Sequence, residues 1–195
     1  MKTIFLKAVF FLAVISITLS CSKDDEPAPP NYTEENFLEG YLATTGFSQS
    51  NEQVINDDNY EFGIEFTPLV KGKITKLKVN LPATRSDLRI TIWDKATTTP
   101  IRTETVNYSA ANTIMAFDIA DLDLVKDKEY AITCNSDDWN FRKRTIATPT
   151  TYPVTSGNIK IISYKYLMGT TQSYPSDNDN TYYSGDLSFD FIQTN

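Results

Sequence analysis

From Tyr60 onward the chain alternates apolar and polar residues with a period of two. In Tyr60-Glu61-Phe62-Gly63-Ile64-Glu65-Phe66, every second side chain is aromatic or aliphatic and those between are Glu or Gly. A strand points successive side chains to opposite faces, so this pattern predicts one buried face and one outer face. The pattern returns over Lys73–Leu81, Leu88–Asp94, Ile101–Tyr108, Ile114–Ile119, Glu129–Cys134, Trp139–Ile146, Ile159–Leu167 and Leu187–Ile192. An acidic connection through Asp121, Asp123 and Asp127 separates two of these runs. Pro68, Gly72 and Pro82 punctuate the first turns, where a missing N–H or a free φ ends pairing. No amphipathic helix of three turns lies between the runs, which excludes a parallel α/β sheet. The prediction is an all-β fold, a single antiparallel β-sandwich, jelly-roll-like, with about nine strands over residues 37–195. Before it, Thr33–Gly40 has the signals of a single helical turn, with Thr33 as N-cap and Gly40 as stop, while Phe37–Thr45 also fits a first strand.

The first residues follow another pattern. Lys2 and Lys7 precede the apolar run Ala8–Leu19, which is shorter than the ~20 residues a membrane span needs. Residues 1–20 are therefore expected to be a signal peptide. Leu19-Ser20-Cys21 resembles a bacterial lipobox, which implies acylation of Cys21 and an outer-membrane lipid anchor. Ser22-Lys23-Asp24-Asp25-Glu26 resembles the lipoprotein export signal of Bacteroidetes-type bacteria, which implies display on the cell exterior. Pro27-Ala28-Pro29-Pro30 is an extended spacer, and residues 21–36 as a whole are expected to be a tether.

Composition narrows the chemistry. The 195 residues carry a net charge of −7 and no His. An acidic balance argues against nucleic acid, whose phosphates need clustered Lys and Arg. The absence of His removes the commonest general base and the Ser-His and Cys-His nucleophile systems. With Cys21 acylated, Cys134 has no intrachain partner; its phase with Tyr130 and Ile132 predicts a small buried hydrophobe.

The segments Tyr60–Pro68, Gly72–Leu77, Ile92-Trp93-Asp94 and Leu124–Tyr130, in that order, resemble the bacterial domain-of-unknown-function family numbered 4082. The resemblance spans about residues 55 to 192 and implies a secreted β-sandwich, often attached to carbohydrate-related proteins, without a defined activity. Where that family has a Gly-rich stretch before its Trp, this chain has Ala83–Asp87; where it has Gly-Trp-Gln, this chain has Asn112–Met115. No ligand residue carries over.

Three clusters hold candidate chemistry. Asp137, Asp138, Trp139, Asn140 and Arg142 combine a flat aromatic with amide, carboxylate and guanidinium groups, the composition of a sugar-binding site. In the loop Tyr174–Asp186, Tyr182 and Tyr183 are candidate recognition residues. Asp177, Asp179 and Thr181 place oxygens at alternate positions, a spacing that suits calcium, although an Asx-rich turn has the same composition. Trp93, out of phase with Leu88, Ile90 and Ile92, is expected on the face opposite the core. The acids form no glycosidase motif, and Asp137 and Asp138, being adjacent, would point to opposite faces of a strand. The expected function is non-catalytic glycan binding at the cell surface. A structural or assembly subunit that binds another surface protein is the first alternative, and a carbohydrate-active hydrolase the second.

Overall fold

In the computed structural model, which describes residues 30–146 and 148–195, each of the nine alternating runs becomes a strand. The predicted signal peptide, Cys21 and the export signal Ser22–Glu26 lie outside the described residues. The elements in chain order are β1 (Glu35–Asn36), α1 (Leu38–Thr45), β2 (Ser50–Val54), β3 (Tyr60–Pro68), β4 (Gly72–Val79), β5 (Arg85–Asp94), β6 (Thr99–Tyr108), β7 (Met115–Leu124), β8 (Tyr130–Ser136), β9 (Trp139–Lys143), β10 (Val154–Ser156), β11 (Ile159–Met168), β12 (Asp177–Asp179), β13 (Tyr182–Ser184) and β14 (Ser188–Gln193). Five short strands, β1, β2, β10, β12 and β13, join the nine expected ones. They lack a long enough alternation to be seen without their partners.

The strands form antiparallel sheets. One runs β1-β14-β4-β7, a larger one runs β10-β11-β3-β8-β5-β6 with β12 on β11, and a third runs β13-β9-β2. The inner face of the large sheet presents Phe62, Ile64 and Phe66 beside Ile132 and Cys134, then Ile90 and Ile92. The four-stranded sheet presents Ile74, Leu77, Phe189 and Phe191. The two meet where Phe66 lies 4.8 Å from Phe189, ring centre to ring centre. Burying these side chains is what holds the sandwich together, at about 1.5–3 kcal/mol for each large one. Bulges keep the phase right. The register shift between Ile161 and Ser163 lets both Ile161 and Tyr164 face the core.

The acidic stretch after Ile119 belongs to a strand and not to a connection. Asp121 and Asp123 lie in β7, with Leu122 and Leu124 resuming the alternation after a register shift that changes its phase, and Asp121 pairs with Lys73 at 2.5 Å. The run beginning at Trp139 is shorter than expected and ends at Lys143.

The N-terminal turn is also displaced. Thr33 caps no helix, and Gly40 lies inside α1, whose left-handed terminator is Gly46 at φ 75°. Gly40 eases the approach of α1 to β10, since a Cβ there would crowd the Ser156 side chain and make its hydroxyl turn away. Residues 32–36, assigned from sequence to the tether, sit in the compact unit Tyr32–Asn195. Glu35 and Asn36 pair with Phe191 and Asp190, and Glu34 binds Lys76 at 2.9 Å.

The outer face of the large sheet is covered as well. Trp93 points there, as its phase predicts, and is buried; its Nε1–H donates to Thr133 Oγ1 at 2.8 Å and its ring meets Tyr174 edge-on. Residues 169–176 cross this face. Asn135 Nδ2 donates to Gly169 O, Gln172 Nε2 to Thr91 Oγ1, and the Tyr174 hydroxyl to Glu65 Oε1 at 2.6 Å. Glu61 and Glu65 lie beneath, held by Arg89 at 2.7 Å and Lys95 at 3.3 Å. Among the described residues no helix is long and apolar enough to cross a membrane.

Candidate functional site

Strand β9 divides the residues that its sequence groups together. Trp139 and Phe141 share one face, and Asn140 and Arg142 share the other, as period two requires. The first face opens onto a cleft of about 510 Å³. That volume lies within the ~300–1,000 Å³ range of small-ligand sites. Its walls are rings: Trp139 and Phe141 from β9, Tyr60 and Phe62 from β3, Tyr164 and Tyr166 from β11, and Tyr182 from β13. Trp139 meets Tyr60 at 5.4 Å and an interplanar angle of 79°, and Phe62 at 5.7 Å and 66°. Tyr182 lies 4.7 Å from Phe141 and 6.2 Å from Tyr166. Glu52 and Val54 of β2, with Asp57 and Ser184, complete the lining.

The register brings these groups together. Val54 pairs with Trp139 and Glu52 with Phe141 on one side of β9, and Ser184 pairs with Phe141 on the other. Across β3 and β11, Tyr166 pairs with Phe62. Burial and the neighbouring Tyr166 push the Tyr182 phenol well up from its ordinary value, so it remains a neutral donor at the cleft.

The opposite face of β9 does structural work. Asn140 is buried, its Nδ2 donating to Asn80 O at 2.9 Å and to Asp186 Oδ2 at 3.2 Å. Arg142 clasps Asp186 in a bidentate pair, Nε to Oδ1 and Nη2 to Oδ2. Asp137 pairs with Arg85 and Asp138 accepts from the Asn56 amide at 2.9 Å, so both fix the approach to β9. Tyr183 is wholly buried and donates to Leu187 O at 2.8 Å. Of the sequence candidates, Trp139 and Tyr182 therefore line the cleft, while Asp137, Asp138, Asn140, Arg142 and Tyr183 hold the framework.

The candidate calcium oxygens form a turn. Asp179 Oδ1 accepts both the Thr181 amide and the Thr181 hydroxyl at 2.6 Å, and Asp177 accepts from Ser176 Oγ. β12 pairs Asp177 with Tyr166 and Asp179 with Tyr164, which commits this backbone to the sheet. Among the described residues no group of three or more Asp, Glu, His or Cys side chains comes together to hold a metal ion.

Tyr60, Phe141, Tyr166, Glu52 and Asp57 were not singled out from sequence. Phe141 carries a local signal, its period-two phase with Trp139. Tyr60 and Tyr166 carry a weaker one, tyrosine at apolar strand positions where an aliphatic residue would serve a dry core.

Elsewhere, Cys134 is buried and burial pushes its thiol well up, as its phase with Tyr130 and Ile132 implies. The buried carboxylates Glu61 and Glu65 lie on the opposite side of β3 from Phe62 and so away from the cleft. No protein-family model matches this chain, and no curated protein matches it.

Proposed function

We propose that this protein is a lipid-anchored, cell-surface binding module that takes a glycan in the aromatic cleft without catalysis. The observation that carries the reading is the wall of rings around Trp139, with Glu52, Asp57 and the half-buried Tyr60, Tyr166 and Tyr182 supplying polar groups to meet hydroxyls. Sugars bind where apolar C–H faces meet aromatic surface and a few polar groups fix orientation. The two acids of the cleft are exposed, and Glu52 is tied to Lys143 at 2.6 Å, an arrangement suited to recognition. Anchoring through Cys21 and export through Ser22–Glu26 are part of the same proposal and rest on the leader sequence. The resemblance to the family numbered 4082 adds a proposed kinship of architecture and no ligand.

The test is a glycan array probed with the protein and with Trp139→Phe and Tyr166→Ala. Both substitutions keep the neighbouring β9 residues and should reduce binding while the far-ultraviolet spectrum stays the same. A wild-type protein that binds no glycan removes the reading. Loss of palmitate labelling in Cys21→Ala, with labelling of the parent, tests the anchor.

One observation favours an assembly subunit as a second reading. Among the described residues the ten-residue strands β6 and β7 each end a sheet, leaving an edge of the kind that can accept a partner strand. A photo-crosslinker at Thr103 on β6 that gives a discrete protein adduct on cells, with none at Tyr166, would favour that reading over the glycan.

A further inference from the structure

The cleft is one-sided in charge. Among the described residues its lining includes two carboxylates, Glu52, which Lys143 pairs, and Asp57, and no lysine or arginine. At one end the protein already seats an ammonium group. Lys143 Nζ pairs with Glu52 at 2.6 Å and lies 5.4 Å from the centre of the Phe141 ring. At the other end Asp57 and its neighbour Asp58 are exposed beside Tyr60. Burial, then the fields of Asp57 and Asp58, push the Tyr60 phenol up. Two guanidinium groups lie on neighbouring segments and both are engaged: Arg85, whose Nη2 reaches Asn59 at 3.4 Å, by Asp137 and Asp87, and Arg142 by Asp186.

Ring orientation adds to this. Tyr60 stands at 79° to Trp139 and at 55° to Tyr166, with centres 5.4 and 6.5 Å away. Rings at such angles form walls that face different ways, where a neutral pyranose stacks best on one flat platform. Aromatic faces carry negative quadrupole charge and attract a compact cation from several sides at once, most strongly where water is partly excluded.

We infer that the ligand of this cleft carries a positively charged amine, an ammonium or quaternary ammonium group, seated against Tyr60, Trp139 and Tyr166 with Asp57 as its counter-charge. The inference rests on the cleft being the binding site and narrows its ligand. On the glycan reading the ligand is an amino sugar whose amine is free and not acetylated. The acidic net charge of −7 favours the approach of such a cation over longer range.

The test is isothermal titration calorimetry of the full chain in non-ionic detergent with choline, glucosamine, N-acetylglucosamine and glucose, at matched ionic strength. Choline and glucosamine should bind about tenfold tighter than the two neutral sugars. The double variant Asp57→Asn/Asp58→Asn, both exposed positions, should weaken the two amines about three- to tenfold, and more than it weakens the neutral sugars, which lose only a hydrogen-bond partner and no counter-charge. Neutral sugars that bind as well as glucosamine overturn the cation inference and leave the glycan reading standing. Choline bound with glucosamine ignored supports the cation inference and removes the glycan. An unchanged amine affinity in the double variant overturns the role of Asp57, and no binding of any probe overturns both readings.

Discussion

Arg142 has the look of a ligand residue in sequence and the position of a structural one in the fold, and Arg142→Met distinguishes the two. The substitution keeps most of the apolar stem and deletes the guanidinium. Its partner Asp186 has a side chain only 2% exposed, and Arg142 itself is 19% exposed. Without Arg142 the carboxylate keeps only Asn140 Nδ2 at 3.2 Å and Asn80 Nδ2 at 3.4 Å, two neutral donors at long range. Removing one partner of a buried pair leaves an uncompensated charge, which costs about 3–5 kcal/mol. The partial exposure of Arg142 puts the expected loss near the low end, at about 3 kcal/mol. Asp186 also holds a left-handed backbone angle, φ 41°, directly after Gly185 at φ 106°, so the turn into β14 depends on this clasp. The assay is urea unfolding followed by aromatic fluorescence. With a slope of about 1–3 kcal/mol per molar urea, the midpoint should fall by about 1–3 M. Asp186→Asn should also destabilise, and the double variant should cost less than the two single losses combined, because neither charge is then left alone. Ligand binding by folded Arg142→Met should be unchanged, since Arg142 faces away from Trp139. A loss below about 1 kcal/mol would refute the reasoning, because the pair would then behave as a solvent-screened surface ion pair.

Gly63→Ala should destabilise the large sheet by about 1–3 kcal/mol or more, read as a lower urea midpoint, because the new Cβ would meet Ile132 O at 1.9 Å. Glu65 governs part of the acid response. Burial pushes its carboxyl up, but hydrogen bonds from Tyr174 and Ser163 with the charge of Lys95 outweigh it and hold it below its ordinary value. Its stabilisation is therefore present above the unfolded value of about 4.3 and is lost as pH falls through the lower folded value; Glu65→Gln should flatten the acid limb of stability against pH. Glu61 works the other way. Burial raises it despite Thr133 and Arg89, so its contribution declines as pH rises from the unfolded value towards the folded one, and Glu61→Gln should remove that decline. Cys134 should resist thiol reagents in the folded protein and react on denaturation, since it is buried and its thiolate is disfavoured; rapid labelling of the native protein would contradict its place in the core.

Much of this protein is legible in one dimension. Alternation over Tyr60–Phe66 or Ile159–Leu167 is a local property of the strand, and a half-buried strand must write it into its own residues. The nine long strands, the single all-β domain and the inward phase of Cys134 follow from that rule. Trp93 follows from it too, once the opposite face is allowed to be covered. The short strands do not, because Glu35–Asn36 and Tyr182–Ser184 take their extended form from partner strands far away in the chain, around Phe191 and Arg142. The same holds for Gly40, whose role is a clearance to β10 and not a helix stop.

The site shows where sequence reading ends. Asp137 to Arg142 is one contiguous cluster of binding chemistry on paper. The pleat sends Trp139 and Phe141 to the cleft and turns Asn140 and Arg142 towards a buried carboxylate on a loop 46 and 44 residues away. Tyr60, Tyr166 and Glu52 become neighbours of Trp139 only through sheet register, a long-range choice fixed by which faces bury together. The sequence by itself determined which stretches are strands and which side of each is apolar, because those depend on single-strand geometry. Only the tertiary structure decided which aromatic residues share a cleft and which charged groups are consumed as framework, because that depends on pairing between strands far apart in the chain.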